Sequence, residues 1–132
     1  MSQLKILSLN VHGLHKQEQR RAIFCYLKNQ KASIFCLQET FSKKIKEDET
    51  IWCAEWGRQI LFSHGSEHSR GVCILVKPNG YPLETIESDE EGWYIFANLK
   101  LTTEKLFVVM SMHRLTADCN SFLAKTHPSS SI

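Results

Sequence analysis

Two apolar runs with one amphipathic helix between them constrain this chain most. The first run, Leu4, Ile6, Leu7, Leu9 and Val11, supplies a strand buried on at least one face. Asn10 stands at its carboxyl end, and Gly13 lets the chain turn sharply. The second run spans Ala32 to Thr40, is apolar from Ile34 to Leu37, and ends on Glu39. Between them, Lys16 to Asn29 predicts a helix. Its apolar stripe is Ala22, Ile23, Tyr26 and Leu27, with Gln17, Glu18, Arg20 and Arg21 on the solvent side. Strand, helix, strand at this spacing makes a parallel pair with a right-handed crossover, so the fold class is α/β. Ligands in such sheets gather at the carboxyl ends of strands. Asn10 and Glu39 therefore converge on one edge.

The segment from Phe41 to Glu55 reads as a charged loop and then a short helix, with Ile51, Trp52 and Trp56 packing under the sheet. Gln59 to Ser63 predicts a third strand. Gly71 to Val76 predicts a fourth, apolar enough to be buried on both faces and stopped at Pro78-Asn79-Gly80. Leu83 to Glu87 predicts a fifth. Trp93 to Leu101 and Lys105 to Met112 form a hairpin across Thr102-Thr103-Glu104. In its first strand Tyr94, Phe96 and Asn98 alternate with Trp93, Ile95, Ala97 and Leu99, as in a half-buried antiparallel sheet. From His113 the apolar period stops and the chain becomes Ser-rich. The expected organisation is one domain over residues 1–112 and a divergent, disordered tail over residues 113–132.

A net charge of +2 over 132 residues is too small to argue nucleic-acid binding by itself. The basic spots at Lys16, Arg20 and Arg21 and at Lys43, Lys44 and Lys46 read as solvated surface. No apolar run approaches the ~18 residues of a membrane span, and no signal peptide is visible. The cysteines at 25, 36, 53, 73 and 119 include no CxxC pair. They read as buried free thiols, which places the chain in an intracellular, reducing compartment. His64 and His68 have zinc-like spacing but flank Gly65-Ser66 in a loop with no cysteine pair, so they do not read as a metal site.

The order of motifs carries a resemblance. Leu-Asn-Val-His-Gly-Leu at 9–14 is followed by a helix, then Leu-Gln-Glu-Thr at 37–40. Ser-Arg-Gly-Val-Cys-Ile-Leu-Val at 69–76 and Gly-Trp-Tyr-Ile-Phe at 92–96 complete the series. Residues 4–112 resemble the N-terminal half of the endonuclease/exonuclease/phosphatase family, the DNase I-like fold. They look closest to the apurinic-type endonuclease domain of LINE-type retrotransposon reverse transcriptases. The resemblance implies a partial, roughly half, four-layered α/β sandwich and a Mg²⁺-dependent phosphodiesterase acting on DNA, with Mn²⁺ as the alternative ion. It implies that Glu39 is the metal ligand and that Asn10 is the catalytic asparagine beside it. His12 and Arg70 fall where contacts to substrate would lie. Without the resemblance, an Asn before a Gly turn is a turn residue or helix cap, a Glu after a buried strand is a solvated carboxylate, and Arg70 is a surface arginine.

The family's later motifs are missing. Leu106 to Met112 leads into His113-Arg114-Leu115-Thr116, where a Tyr-Ala-Pro-Asn-like strand end is expected, and no Ser-Asp-His follows. The expectation is a truncated relative that is catalytically incomplete on its own, with an apolar sheet face open to self-association. The alternatives are a fragment of a full active endonuclease, a non-catalytic interaction module built on the half-sheet, and a phosphatase or deadenylase of the same superfamily.

Overall fold

Strand β1 (Ile6–Asn10), helix α1 (Gln17–Lys28) and strand β2 (Ile34–Gln38) form the expected unit, and β1 and β2 pair in parallel with Asn10 opposite Gln38. The computed structural model describes residues 5–65, 70–78, 80, 82–100 and 106–112. The remaining elements are α2 (Lys46–Trp56), β3 (Leu61–Ser63), β4 (Val72–Val76), β5 (Leu83–Ser88), β6 (Tyr94–Lys100) and β7 (Leu106–Met112). The fold is mixed α/β, with a four-stranded sheet of order β1-β2-β4-β3 and a three-stranded antiparallel sheet of order β5-β6-β7. In the first sheet only the β1–β2 pair is parallel; β4 runs antiparallel to both β2 and β3. Leu4, His68, Cys119, the hairpin loop 102–104 and the tail 113–132 lie outside the described residues.

The helices lie on one face of the first sheet. Phe24 and Leu27 of α1 and Trp52 and Trp56 of α2 pack against Phe35, Leu37, Cys73 and Leu75, with Leu7 and Leu9 at the margin. Trp56 is fully buried and donates its indole N–H to the Val76 carbonyl at 2.8 Å, which satisfies both groups away from water. α1 ends at Asn29, whose side-chain amide donates to the Cys25 carbonyl at 2.9 Å. α2 places Glu47, Asp48 and Glu49 in its first turn, favourable to the helix dipole, and ends at Gly57 in the left-handed region (φ +102°).

The opposite face of the first sheet is covered too. Ile34, Cys36, Val72, Ile74 and Val76 pack against Ile95 and Ala97 of β6. This corrects the expectation of an open apolar sheet face, because the second sheet closes over it. The half-buried reading of β6 is also corrected: Tyr94, Ile95, Phe96 and Ala97 are all buried. The alternation is real, but both faces are apolar and both are covered.

The stripe on α1 is rotated from the expected one. Arg20, Phe24 and Leu27 are its buried residues, while Ala22 and Tyr26 are exposed and Ile23 is half-buried. Ile51 on α2 is exposed as well. Cys36 and Cys73 are buried as expected and Cys53 is half-buried, but Cys25 is exposed on the outer side of α1. Desolvation pushes the Cys36 thiol up to about 12 and raises those of Cys73 and Cys53 as well. All four described cysteines are free.

Candidate functional site

Parallel pairing continues past the strand ends and builds one corner. The Val11 N–H donates to the Gln38 carbonyl at 3.0 Å, Gly13 N–H to Glu39 at 2.7 Å, and Leu14 N–H to Thr40 at 3.0 Å. On the other side of β2, Thr40 N–H donates to Gly71 at 3.0 Å and Phe41 N–H to Arg70 at 2.9 Å. The segment after Gln38 is thus clamped from both sides by backbone bonds.

Within this corner Asn10 and Glu39 meet. Asn10 Nδ2 donates to Glu39 Oε2 at 2.8 Å, and Asn10 Oδ1 accepts the His12 N–H at 3.1 Å. His12 Nδ1 lies 3.2 Å from Glu39 Oε1, with the His12 side chain 76% exposed and that of Glu39 25% exposed. The structure thus brings three of the four candidate residues together: Asn10 bonds one oxygen of the Glu39 carboxylate, and His12 sits at the other. The backbone is held away from its relaxed form. His12 (φ +50°), Glu39 (φ +56°), Phe41 (φ +56°) and Arg70 (φ +63°) are all non-glycine residues in the left-handed region. Each such residue costs on the order of 1–2 kcal/mol, so the surrounding bonds must over-determine the corner.

Arg70 joins the corner through its backbone. Its guanidinium carbon lies 5.2 Å from the centre of the Trp93 ring, and its Nε is buried with no hydrogen-bond partner among the described residues. Gly71, next to it, is a glycine by necessity. A Cβ there would stand 2.5 Å from Thr40 Oγ1 at φ +92°.

Two supports of this corner were not legible as such. Arg20 reads in the sequence as solvated, but it is 5% exposed. Its Nε and Nη2 grip Glu55 at 2.5 and 3.0 Å, while Nη1 donates to the Leu14 and His15 carbonyls at 2.9 and 3.1 Å. The guanidinium also lies over Trp52 at 5.2 Å. Arg20 therefore ties the loop after β1 to both helices. Its hydrogen bond holds the Glu55 carboxyl below the usual carboxylate range. The second support is a polar chain through Thr40, Ser42, His64 and Glu49, taken up below.

The corner offers an oxygen ligand rather than a soft site. Among the described residues no three His, Cys, Asp or Glu side chains gather into a metal-holding group. A cavity of about 490 Å³ opens on the helix side and is lined by Arg21, Phe24, Cys25, Lys28, Asn29 and Glu55, so none of its walls comes from the Asn10–Glu39 corner. No helix among the described residues is long and apolar enough to cross a membrane. No protein-family model matches the chain.

Proposed function

We propose that the chain binds a divalent cation, Mg²⁺ or Mn²⁺, at Glu39 and a nucleic-acid phosphodiester beside it, as a relative of the DNase I-like endonucleases. One observation carries the reading: a carboxylate and an asparagine from neighbouring parallel strands are hydrogen-bonded to each other at the carboxyl edge of a sheet. The donor set fits the ion. Mg²⁺ takes one or two carboxylates, keeps most of its waters and binds phosphate oxygens directly, and Glu39 is one hard carboxylate, partly open to water. Bound there, the ion would polarise the phosphoryl group and stabilise the leaving oxygen. Asn10 holds the Glu39 carboxylate in place through Nδ2. His12, exposed at the mouth, is free to turn from Glu39 towards substrate. Arg70, whose guanidinium lies over Trp93, supplies positive charge for a phosphate.

The sequence contains no Ser-Asp-His to position and activate the attacking water. Binding is therefore the proposed activity of this chain alone, with hydrolysis requiring those groups from elsewhere. Free thiols fit action in a reducing compartment. The test is a ¹H–¹⁵N titration of the full chain with Mg²⁺, alongside a plasmid-nicking assay. Shifts confined to the neighbourhood of Asn10 and Glu39, absent in Glu39→Ala, with no nicking, are expected. Indifference to Mg²⁺, or equal binding by Glu39→Ala, would overturn the reading.

A further inference from the structure

Glu39 is held left-handed, and its backbone clamps alone do not fix where its carboxylate points. Directly after it, side chains form a continuous polar chain. Thr40 Oγ1 accepts the Ser42 N–H at 3.3 Å and donates to Ser42 Oγ at 3.1 Å. Ser42 Oγ lies 2.9 Å from His64 Nδ1, and His64 Nε2 lies 2.5 Å from Glu49 Oε2. Thr40 is fully buried and Ser42 is 2% exposed. The Ser42 carbonyl accepts the Gly65 N–H at 2.9 Å, and the His64 ring stacks on Phe62 at 4.8 Å. The network therefore ties the loop after β2 to the end of β3 and to the first turn of α2.

Hydrogen-bond bookkeeping gives the chain a direction. A carboxylate only accepts, so His64 Nε2 carries the proton that faces Glu49. In the neutral imidazole Nδ1 is then an acceptor, and the Ser42 hydroxyl donates to it. Ser42 Oγ is left to accept from the Thr40 hydroxyl. Each member donates once towards Glu49, with no conflict. Ser42 cannot be a nucleophile, because it is shielded from solvent, so the arrangement is not a Ser-His-Glu hydrolytic triad. Its outlet is Thr40, the residue bonded to Glu39 through the peptide.

We propose that Ser42, His64 and Glu49 are positioning residues that set the Glu39 carboxylate against Asn10 and thereby tune its affinity for a divalent cation. The affinity half of this rests on Glu39 being the metal ligand. Groups that orient a metal ligand from behind commonly change affinity by about 10–100-fold when removed.

The test uses the full chain, with Ser42→Ala (one oxygen removed) and His64→Phe (ring and stack kept, both nitrogens lost). Two readouts are taken. The first needs no metal: the side-chain NH₂ resonances of Asn10, which report its bond to Glu39. The second is the Mg²⁺ dissociation constant. The Asn10 resonances are expected to move towards those of a free amide in both variants, and Mg²⁺ affinity to fall about tenfold or more. A long-range ¹H–¹⁵N spectrum of the wild type is expected to show His64 protonated at Nε2. Variants that merely melt more easily, with Asn10 resonances and Mg²⁺ affinity unchanged, would overturn the proposal. If the wild-type chain shows no Glu39-dependent Mg²⁺ binding, the metal reading falls instead, and the positioning role stands or falls on the Asn10 resonances.

Discussion

Removing Glu55 tests whether Arg20 is a structural tether or an ordinary surface charge. The Arg20 side chain is 6% exposed and that of Glu55 12%, and the pair is bidentate. Breaking a buried pair from one side costs about 3–5 kcal/mol, because the surviving charge stays desolvated. Glu55 keeps some water, so Glu55→Leu should sit near the lower end, about 3 kcal/mol. For a chain of this length that lowers Tm by about 10 °C. Arg20→Met should cost about the same, since the Leu14 and His15 carbonyls also lose their donor. The double variant removes both buried charges and leaves the unpaired carbonyls, while Arg21 and Gln17, exposed beside Glu55, exchange it for water. It should cost about 3 kcal/mol rather than the sum of about 6. The Glu55 carboxyl is held below its ordinary value of 4.5, mainly by the Arg20 hydrogen bond. A depressed carboxyl stabilises above its unfolded value, and that contribution fades as pH falls through the folded one. The gap between wild type and Glu55→Leu should therefore be full at pH 7 and shrink below pH 4.5. Urea denaturation of the four proteins across pH measures all of this. Single variants that lose less than about 1 kcal/mol, or a double variant additive to within about 0.5 kcal/mol, would refute the tether.

Two further outcomes follow from the same geometry. Because Glu39 sits at φ +56°, Glu39→Gly should be more stable than Glu39→Ala by about 1 kcal/mol, although both lack the carboxylate; chemical denaturation of the pair checks this. The thiols should divide by environment. Cys25 is alkylated in the native chain, while Cys36 and Cys73 are protected until unfolding, as site-resolved mass spectrometry will read. Burial raises Cys36 from 9.0 to about 12, so the unfolded state ionises first and stability should decline as pH rises through that window.

The β-α-β unit was legible because its elements announce themselves locally: an apolar run, an amphipathic stretch with a period near 3.6, then a second, unbroken apolar run from Ile34 to Leu37. Convergence of Asn10 and Glu39 needed only the added rule that such strands are parallel neighbours. Arg20 was not legible. A cation on a helix normally faces water, and its partner lies 35 positions away on an element whose packing the sequence does not state. The same holds for His64. Its spacing in the sequence points to His68, whereas its partners in space are Ser42 and Glu49. Tyr94 and Phe96 misled in the opposite way. Residues 93–97 are apolar without a break, the mark of a strand buried on both faces, and burial of Tyr94 to Ala97 bears that pattern out.

Both unread supports end on α2. Glu49, in its first turn, closes the chain that holds the loop after β2. Glu55, near its end, closes the grip on the loop after β1. Apolar packing does not require either. Trp52 and Trp56 already fix α2 to the sheet, and a buried ion pair adds little stability over an apolar pair of the same shape. What the polar tethers add is direction, because a hydrogen bond fails when its partner moves by an ångström and a hydrophobic contact does not. The loops that follow β1 and β2, next to Asn10 and Glu39, are thus held from one rigid helix by contacts sensitive to angle. A site built to present one carboxylate in a strained backbone needs that kind of support, and a sheet corner that served only to end two strands would not.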